Sequence, residues 1–372
     1  MLSYWEKREL ITADLVVVGG GLVGCFAALT YKEANPNARV TVIERGILPS
    51  GASTKNAGFA CFGSLSELQE DLKDCSLEEL VLLTESRFKG IQHLRKVMGD
   101  QAIGYEPVKG YELCFEPVDR DLMAFFNGEL RAVFGADPFS DQSQSLSRYP
   151  FSNHVQGLIA HDFEGTLHSG KLMSALHERL GILGIRYLSG CSLKAFEERG
   201  SHVAIEVESA LQSIPFQTQK LAFCTNAFTS AFFPELDIHP GRGMVLVTKP
   251  IDGLTLQGSF HYHKGYNYFR AIDNRILLGG ARHLDKATES TTDFGIHPKI
   301  KAQLIADLHE FILPHSTIEV DYEWSGIMAF GKNKQPIIQK VSDRIAVAAR
   351  LGGMGVALGS IVGKEVAELI NT

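Results

Sequence analysis

The residues with the clearest chemical pattern are Gly19, Gly21 and Gly24, spaced G-x-G-x-x-G between a β-branched apolar run and a run of small residues. Gly19 permits a tight turn, Gly21 lets backbone approach a pyrophosphate, and Gly24 lets a helix lie close on the preceding strand. A pyrophosphate would then sit at the helix amino terminus, where free N–H groups and the helix dipole favour anions. Glu44 lies 20 residues beyond Gly24 and ends the next apolar run. A carboxylate there can accept hydrogen bonds from an adenosine ribose. It also disfavours a 2′-phosphate, which points to FAD or NAD rather than NADP. The segment Gly51-Ala-Ser-Thr-Lys-Asn-Ala-Gly58 follows almost at once. A small, polar loop in that place suits FAD, whose isoalloxazine must be approached by backbone, and a nicotinamide enzyme has no need of it.

Other chemistry is thinly represented. No Ser/His/Asp or paired-carboxylate motif is evident. Six cysteines lie far apart with no C-x-x-C pair and no Cys/His cluster at metal spacing, so no metal site and no disulfide framework are expected. They read as small buried apolar residues. His161, His168, His261 and His263 lack ligand spacing and read as surface or hydrogen-bonded core residues. Tyr262, Tyr266, Tyr268, Arg270, Arg282 and His283 are the candidates for substrate contact, with Tyr268, Arg270 and Arg282 put forward as substrate-orienting. Tyr268 and Arg270 flank Phe269 and can face one side of a strand. An arginine opposite a flavin would suit a substrate carboxylate.

The elements that position these residues follow from periodicity. Asp14–Gly19 and Arg39–Glu44 read as strands buried on both faces, with a helix from Gly24 to about Ala34 between them, one β-α-β unit. Ser76-Leu-Glu-Glu79 fits a capping box for a helix to about Val97. Helical spacing recurs at 120–134, after a Ser169 cap, at 298–311 and after Gly352 to Ile370. Strands are expected at 110–116, 185–188, 202–207, 221–224 and 344–349. The stretch 240–283 alternates and is rich in aromatics, which is antiparallel-sheet character. The fold expected is therefore α/β, a Rossmann-like FAD-binding domain of glutathione-reductase type with an inserted α+β antiparallel-sheet substrate domain. The FAD-binding domain would comprise residues 1–85, 151–230 and 322–372, and the substrate domain 86–150 and 231–321.

Composition bounds the function. The chain has 372 residues, 45% hydrophobic and 21% charged, enough to bury a large core. A net charge of −7 argues against a nucleic-acid partner held by a general positive field. The first residues lack the apolar stretch of a signal peptide, and the uncharged run from Leu15 to Tyr31 is broken by glycines, so no membrane span and a cytoplasmic location are expected.

These motifs together resemble the D-amino-acid-oxidase-like family of FAD oxidoreductases, which includes glycine oxidase, sarcosine oxidase, D-amino-acid dehydrogenase and the γ-glutamylputrescine oxidase group. The resemblance runs through the opening glycines with Glu44-Arg45, the loop 51–58, Gly165-Thr-Leu-His-Ser-Gly170, Leu221–Ala227, Pro240-Gly-Arg-Gly243, Ile276–Arg282, Trp324-Ser-Gly326 and Gly352-Gly-Met-Gly355. It implies that Gly19, Gly21, Leu22, Val23 and Gly24 surround the pyrophosphate and that Glu44 and Arg45 border the adenosine. It implies that Ser53, Thr54, Lys55, Asn56, Ala57 and Gly58 line the flavin and ribityl side, and that Leu193 meets adenine through its backbone. Thr225 and Asn226 would close over the cofactor, with Gly326 nearby. Gly352, Gly353, Met354, Gly355, Val356 and Ala357 would bring the last helix's amino end to the flavin, where reduction places negative charge.

The chain also departs from its relatives. Met328 stands where glycine oxidase has a carboxylate-binding arginine, and Ala357 where sarcosine oxidase has a lysine. Lys55 and Ala329 occupy or adjoin positions where relatives link flavin covalently, so FAD is expected to be non-covalent. Lys332-Asn-Lys334 replaces the family's aspartate before Pro336, which would add positive charge near the flavin. The implied activity is oxidation of a C–N bond in an amine or amino acid, with hydride transfer to flavin N5 and hydrolysis of the imine. Oxygen and a quinone or carrier remain open as electron acceptor. A 2-hydroxy acid or glycerol-phosphate dehydrogenase on the same fold is the alternative. A tRNA-modifying flavin domain and a non-catalytic flavin-binding module rank below it.

Overall fold

The computed structural model describes residues 1–372. Its first sheet is built on β1 (Thr12–Val18) and β2 (Val40–Glu44), parallel neighbours joined by helix α1 (Leu22–Ala34). Leu15, Val16 and Val17 are wholly buried, because helices or further strands cover both faces. β8 (Arg186–Ser189) adds in parallel beyond β2. β11 (Ser213–Phe223) and then β18 (Ile345–Ala349) add in parallel on the other side. β17 (Ile337–Lys340) closes that edge antiparallel. β9 (Cys191–Arg199) and β10 (His202–Ser209) form an antiparallel extension from β11. The parallel core thus draws on segments as far apart as Thr12 and Ala349, as the separated apolar runs imply.

The second sheet has the order β16 (Val320–Phe330), β12 (His239–Thr248), β15 (Arg275–Gly280), β14 (Asn267–Ile272), β13 (Ser259–Tyr262), β4 (Gly110–Cys114), β6 (Gly157–His161) and β5 (Phe139–Asp141). Every pairing is antiparallel except β13 with β4. A short pair, β3 (Phe59–Ala60) with β7 (Gly165–Thr166), bridges the two regions.

Sheet membership redraws the expected domain segments. β6 and β16 hydrogen-bond into the second sheet although they lie in 151–230 and largely in 322–372. Helix α4 (Leu77–Met98) crosses the expected boundary at 85/86 and packs on α9 (Gly355–Asn371). Ser360 Oγ donates to the Gly90 carbonyl at 2.6 Å, and a Cβ on Gly90 would stand 1.9 Å from the Ala357 carbonyl oxygen. Periodicity marks a strand or a helix but not its partner, and that is why the boundaries move.

Local expectations mostly agree with the structure. Ser76 and Glu79 form the reciprocal capping box, and α6 (Arg120–Phe134) follows an Asp119 cap. Helix α7 (Ser169–Ile182) is capped by His168 instead of Ser169, its Nδ1 accepting the Lys171 N–H at 3.2 Å. α8 (Pro298–Asp307) ends in a π turn, Leu308–Ile312. The strand β9 lies outside the expected strands, since only Cys191 and Leu193 are buried and Phe196 half-buried along its nine residues. Between β2 and α4 lie the short helices α2 (Ala52–Lys55) and α3 (Leu65–Asp71), and α5 (Asp100–Ile103) follows α4. α1 and α9 lie side by side, and a Cβ on Gly363 would come within 2.4 Å of the Val23 carbonyl. No helix is long and apolar enough to cross a membrane.

Candidate active site

A cavity of about 970 Å³ runs from the opening glycines to the closing ones, so Gly19 and Gly353 lie on the same space. At one end it is lined by Gly19, Gly21, Leu22, Val23, Glu44 and Arg45. Gly19 has φ +105°, and a Cβ there would stand 2.4 Å from the Cys224 carbonyl oxygen. No L side chain fits. Gly24 does not reach the cavity; its missing Cβ lets α1 sit on the turn, where a Cβ would be 1.9 Å from the Gly19 carbonyl oxygen. Glu44 is buried, with Oε2 accepting the Gly20 N–H at 3.0 Å and Oε1 the Gly46 N–H at 2.9 Å. Those bonds fix the carboxylate and leave it further lone pairs toward the cavity. The Arg45 guanidinium lies 3.7 Å from the Phe228 ring centroid. Leu193, Thr225 and Asn226 complete this end.

The loop at 51–58 divides its labour. Ser53, Lys55, Asn56 and Ala57 line the cavity, whereas Thr54 and Gly58 do not. Ser53 Oγ accepts the Leu22 N–H at 2.8 Å, the kind of helix-start donor that an anion would also use. Thr54 instead bonds the Pro49 carbonyl at 2.5 Å. Asn56 spends its amide on the loop itself, donating to the Ala52 and Ser53 carbonyls and accepting from Gly58 N–H and Ser169 Oγ. Its side chain shapes the loop. Trp324 Nε1 donates to the Lys55 carbonyl at 2.9 Å and ties the loop to β16.

At the far end Gly326 and Gly352, Gly353, Met354, Gly355, Val356 and Ala357 all line the cavity, which places the amino terminus of α9 there. The second sheet supplies the facing wall. Strand register sets Glu112, His261, Tyr268, Gly279, Val245 and Trp324 in one row across it. Tyr268 lies over Gly279, where a Cβ would meet its ring at 2.7 Å. Burial, with a smaller contribution from Cys61, pushes the Tyr268 hydroxyl up to about 12, so it stays a neutral phenol.

Among the charged residues on this wall Arg282 stands out. It lines the cavity with its guanidinium 4.2 Å from the Phe330 ring centroid, and no carboxylate pairs with it. By contrast Arg242 is held by Glu289 at 2.6 Å and Arg350 by Asp237 at 2.7 Å. Burial lowers the Arg282 pKa from its usual value, yet a guanidinium stays charged near neutrality. Lys286 donates to Tyr266 Oη at 3.1 Å, and both line the cavity. Lys334, from the departing segment 332–334, is pinned to Glu67 at 2.8 Å and Asp71 at 2.7 Å and carries no free charge.

Three candidate substrate contacts lie away from the cavity lining, contrary to expectation. Arg270 does share a face with Tyr268, but it lies further along β14 beneath the loop, buried, with Nη1 donating to the Gly58 carbonyl at 3.3 Å. It does not line the cavity. Tyr262 is fully buried and donates to Asp307 Oδ2 at 2.6 Å, a core bond on the opposite face. His283 also stays outside the lining. His261, read as a surface or core residue, is instead both buried and part of the lining. Its pairing opposite Tyr268 was the missed signal, and it needs strand register to be seen. The six cysteines are free, but tertiary structure gathers Cys61, Glu164 and His261 with ligand-type atoms within 4.8 Å, a grouping invisible in linear spacing.

Known proteins share this fold. The family model for FAD-dependent oxidoreductases of the DAO type matches residues 14–369. The chain belongs to that family and is an FAD-dependent oxidoreductase. It is similar to a probable oxidoreductase, OrdL, of Haemophilus influenzae, 23% identical over 371 residues, covering 96% of this chain and 83% of the relative. It is equally similar, at 23% over 390 residues, to the γ-glutamylputrescine oxidoreductase of Escherichia coli, covering 98% and 84%. The crystal structure of glycine oxidase from Geobacillus kaustophilus superposes with a TM-score of 0.77 at 19% identity, covering 97% of this chain and 95% of that one.

Proposed function

We propose that the protein oxidises the C–N bond of an amine or amino acid that also bears a carboxylate. The observation that carries this is Arg282, a cation without a protein counter-ion, set over an aromatic ring in the cavity that also holds the opening and closing glycines. A bidentate arginine–carboxylate pair would orient such a substrate. The related γ-glutamylputrescine oxidoreductase and glycine oxidase are named for substrates that carry both an amino group and a carboxylate.

The residues present fit FAD. The Gly19 cradle excludes any side chain, the start of α1 offers N–H donors, and the cavity is long enough to reach the start of α9. In this reading Gly19, Gly21, Leu22, Val23 and Ser53 hold the pyrophosphate, while Glu44, Arg45, Leu193, Thr225 and Asn226 hold the adenosine part. Lys55, Asn56, Ala57, Gly326 and residues 352–357 surround the redox ring, which is bound without a covalent link. When bound, FAD supplies the hydride acceptor. The chain's own residues orient the substrate through Arg282, exclude water with Tyr268, Phe330 and Val245, and place a helix amino terminus where negative charge develops. The imine released is hydrolysed by water.

The test is anaerobic mixing of the yellow protein with a panel of N-substituted glycines, α-amino acids, simple amines and 2-hydroxy acids. Bleaching by carboxylate-bearing amines is expected. Bleaching by hydroxy acids alone would transfer the reading to a carbinol dehydrogenase. Hydrogen peroxide formation in air then separates an oxidase from a dehydrogenase.

A further inference from the structure

Behind the substrate end of the cavity lies a buried set of ionisable groups that the proposed reaction has not yet used. His261, on β13, lines the cavity and turns Nε2 toward Glu164 Oε2 at 3.5 Å. Neither of those atoms has any partner other than the facing one, and the two side chains are only 8% and 1% exposed. The other Glu164 oxygen accepts the Phe62 N–H at 3.1 Å, which holds the carboxylate in place. Phe59 packs edge-on to the imidazole at 5.2 Å. With Nε2 given to Glu164, the ring's other nitrogen is left for a ligand.

The surrounding charges leave His261 as the proton acceptor best placed. Glu112, its cross-strand neighbour on β4, is occupied by the backbone and hydroxyl of Ser66. Glu67 on α3 is paired with Lys334. Arg87 on α4 donates to the Phe62 carbonyl at 2.7 Å. Burial pushes the Cys61 thiol well above its usual value, so it stays protonated, and burial holds His161 on β6 below its usual value.

We propose that His261 accepts the proton of the substrate's ammonium group, with Glu164 as the residue that positions the ring and stabilises the imidazolium. This rests on the amine reading above. An alkylammonium resembles lysine and is protonated near neutral pH, with a pKa of about 10. Its carbon can release hydride only once the nitrogen lone pair is free. The ammonium N–H bond breaks, its electron pair stays on the substrate nitrogen, and the proton forms a new N–H bond to the imidazole. The products are a neutral amine and an imidazolium, and no oxidant or reductant takes part in this step. Burial disfavours the imidazolium, but Glu164, with Glu67 and Glu112, outweighs it and raises the His261 pKa above its ordinary value. Below that pKa the ring already holds a proton and cannot accept another.

The test measures anaerobic flavin reduction against pH, using the fastest amine from the panel. Wild-type kcat/KM is expected to rise with pH as His261 loses its proton. H261N should lose that limb and slow about 10²- to 10⁴-fold, and added imidazole should restore part of the rate to H261A. E164Q should move the limb to lower pH by about one unit. An independent readout is the imidazole ¹⁵N shift of His261 in the holoenzyme, whose titration should fall to lower pH in E164Q without any substrate. Flavin absorbance and melting temperature establish that each variant is folded. An unchanged limb in H261N overturns the proposal while leaving amine oxidation intact. One zinc ion per chain retained through gel filtration and lost in C61A also overturns it, since zinc would occupy Nε2 and the carboxylate. If no amine bleaches the wild-type protein, the functional reading itself fails and this step falls with it.

Discussion

Arg282 is where residue type and environment meet most directly. A guanidinium without a counter-ion in a half-buried wall is costly unless a ligand pairs with it. Replacing it with methionine should raise KM for a carboxylate-bearing amine about 10- to 100-fold, the value of a charge-assisted hydrogen bond. Steady-state kinetics with matched carboxylate and amide substrates check this, and equal losses for both would contradict the anchoring role. The His261–Glu164 pair makes a stability prediction of its own. Glu164 is strongly desolvated, but His261 outweighs that and holds its carboxyl below the usual 4.5. Its contribution is therefore complete above that value and lost as pH falls through the depressed one. His261 is raised above 6.5, so its contribution is complete below 6.5 and lost as pH rises through the raised value. Between the two the pair is fully charged. Melting temperature against pH should be flatter on both flanks in E164Q than in the wild type.

At the scale of elements, the site depends on helices that approach closer than side chains normally allow. Gly90 of α4 meets the Ala357 carbonyl of α9, and a Cβ would stand 1.9 Å away. Gly90→Ala should therefore push α9 outward and cost about 1–3 kcal/mol, with weaker FAD retention because α9 begins at the cavity. The capping box offers a contrast. Ser76→Ala removes a cap on the exposed start of α4 and should cost about 1 kcal/mol with no change in flavin affinity. Thermal melts paired with flavin titrations distinguish the two, and loss of flavin in the Ser76 variant would contradict the division. The capping box was legible because its spacing is local. The Gly90 contact was not, since nothing near Gly90 in the chain announces α9.

For the whole molecule, the cavity is lined by residues from Val18 to Ala357 and joins the parallel sheet to the antiparallel one. A ligand that binds only the assembled form stabilises it by mass action, about 2.7 kcal/mol at a hundredfold excess over Kd. FAD-stripped protein should melt lower, and its melting temperature should climb with added FAD in a single transition. A melting temperature indifferent to FAD would contradict a cofactor held between the two sheets.

The sequence by itself determined the β-α-β start, the glycine turn with its acid, the small-residue loop and the closing glycines. Each of these is a contiguous pattern whose backbone geometry is set by nearby residues. It also offered Tyr268 and Arg282 as candidates by type and setting, and both line the cavity. Tertiary structure alone decided that β6 and β16 join the second sheet, that Arg270 lies under the loop, and that no carboxylate pairs with Arg282. It alone placed His261 beside Glu164, 97 residues earlier in the chain. Strand register and packing between distant segments determine which side chains share a space, and neither is written in any local stretch of the chain.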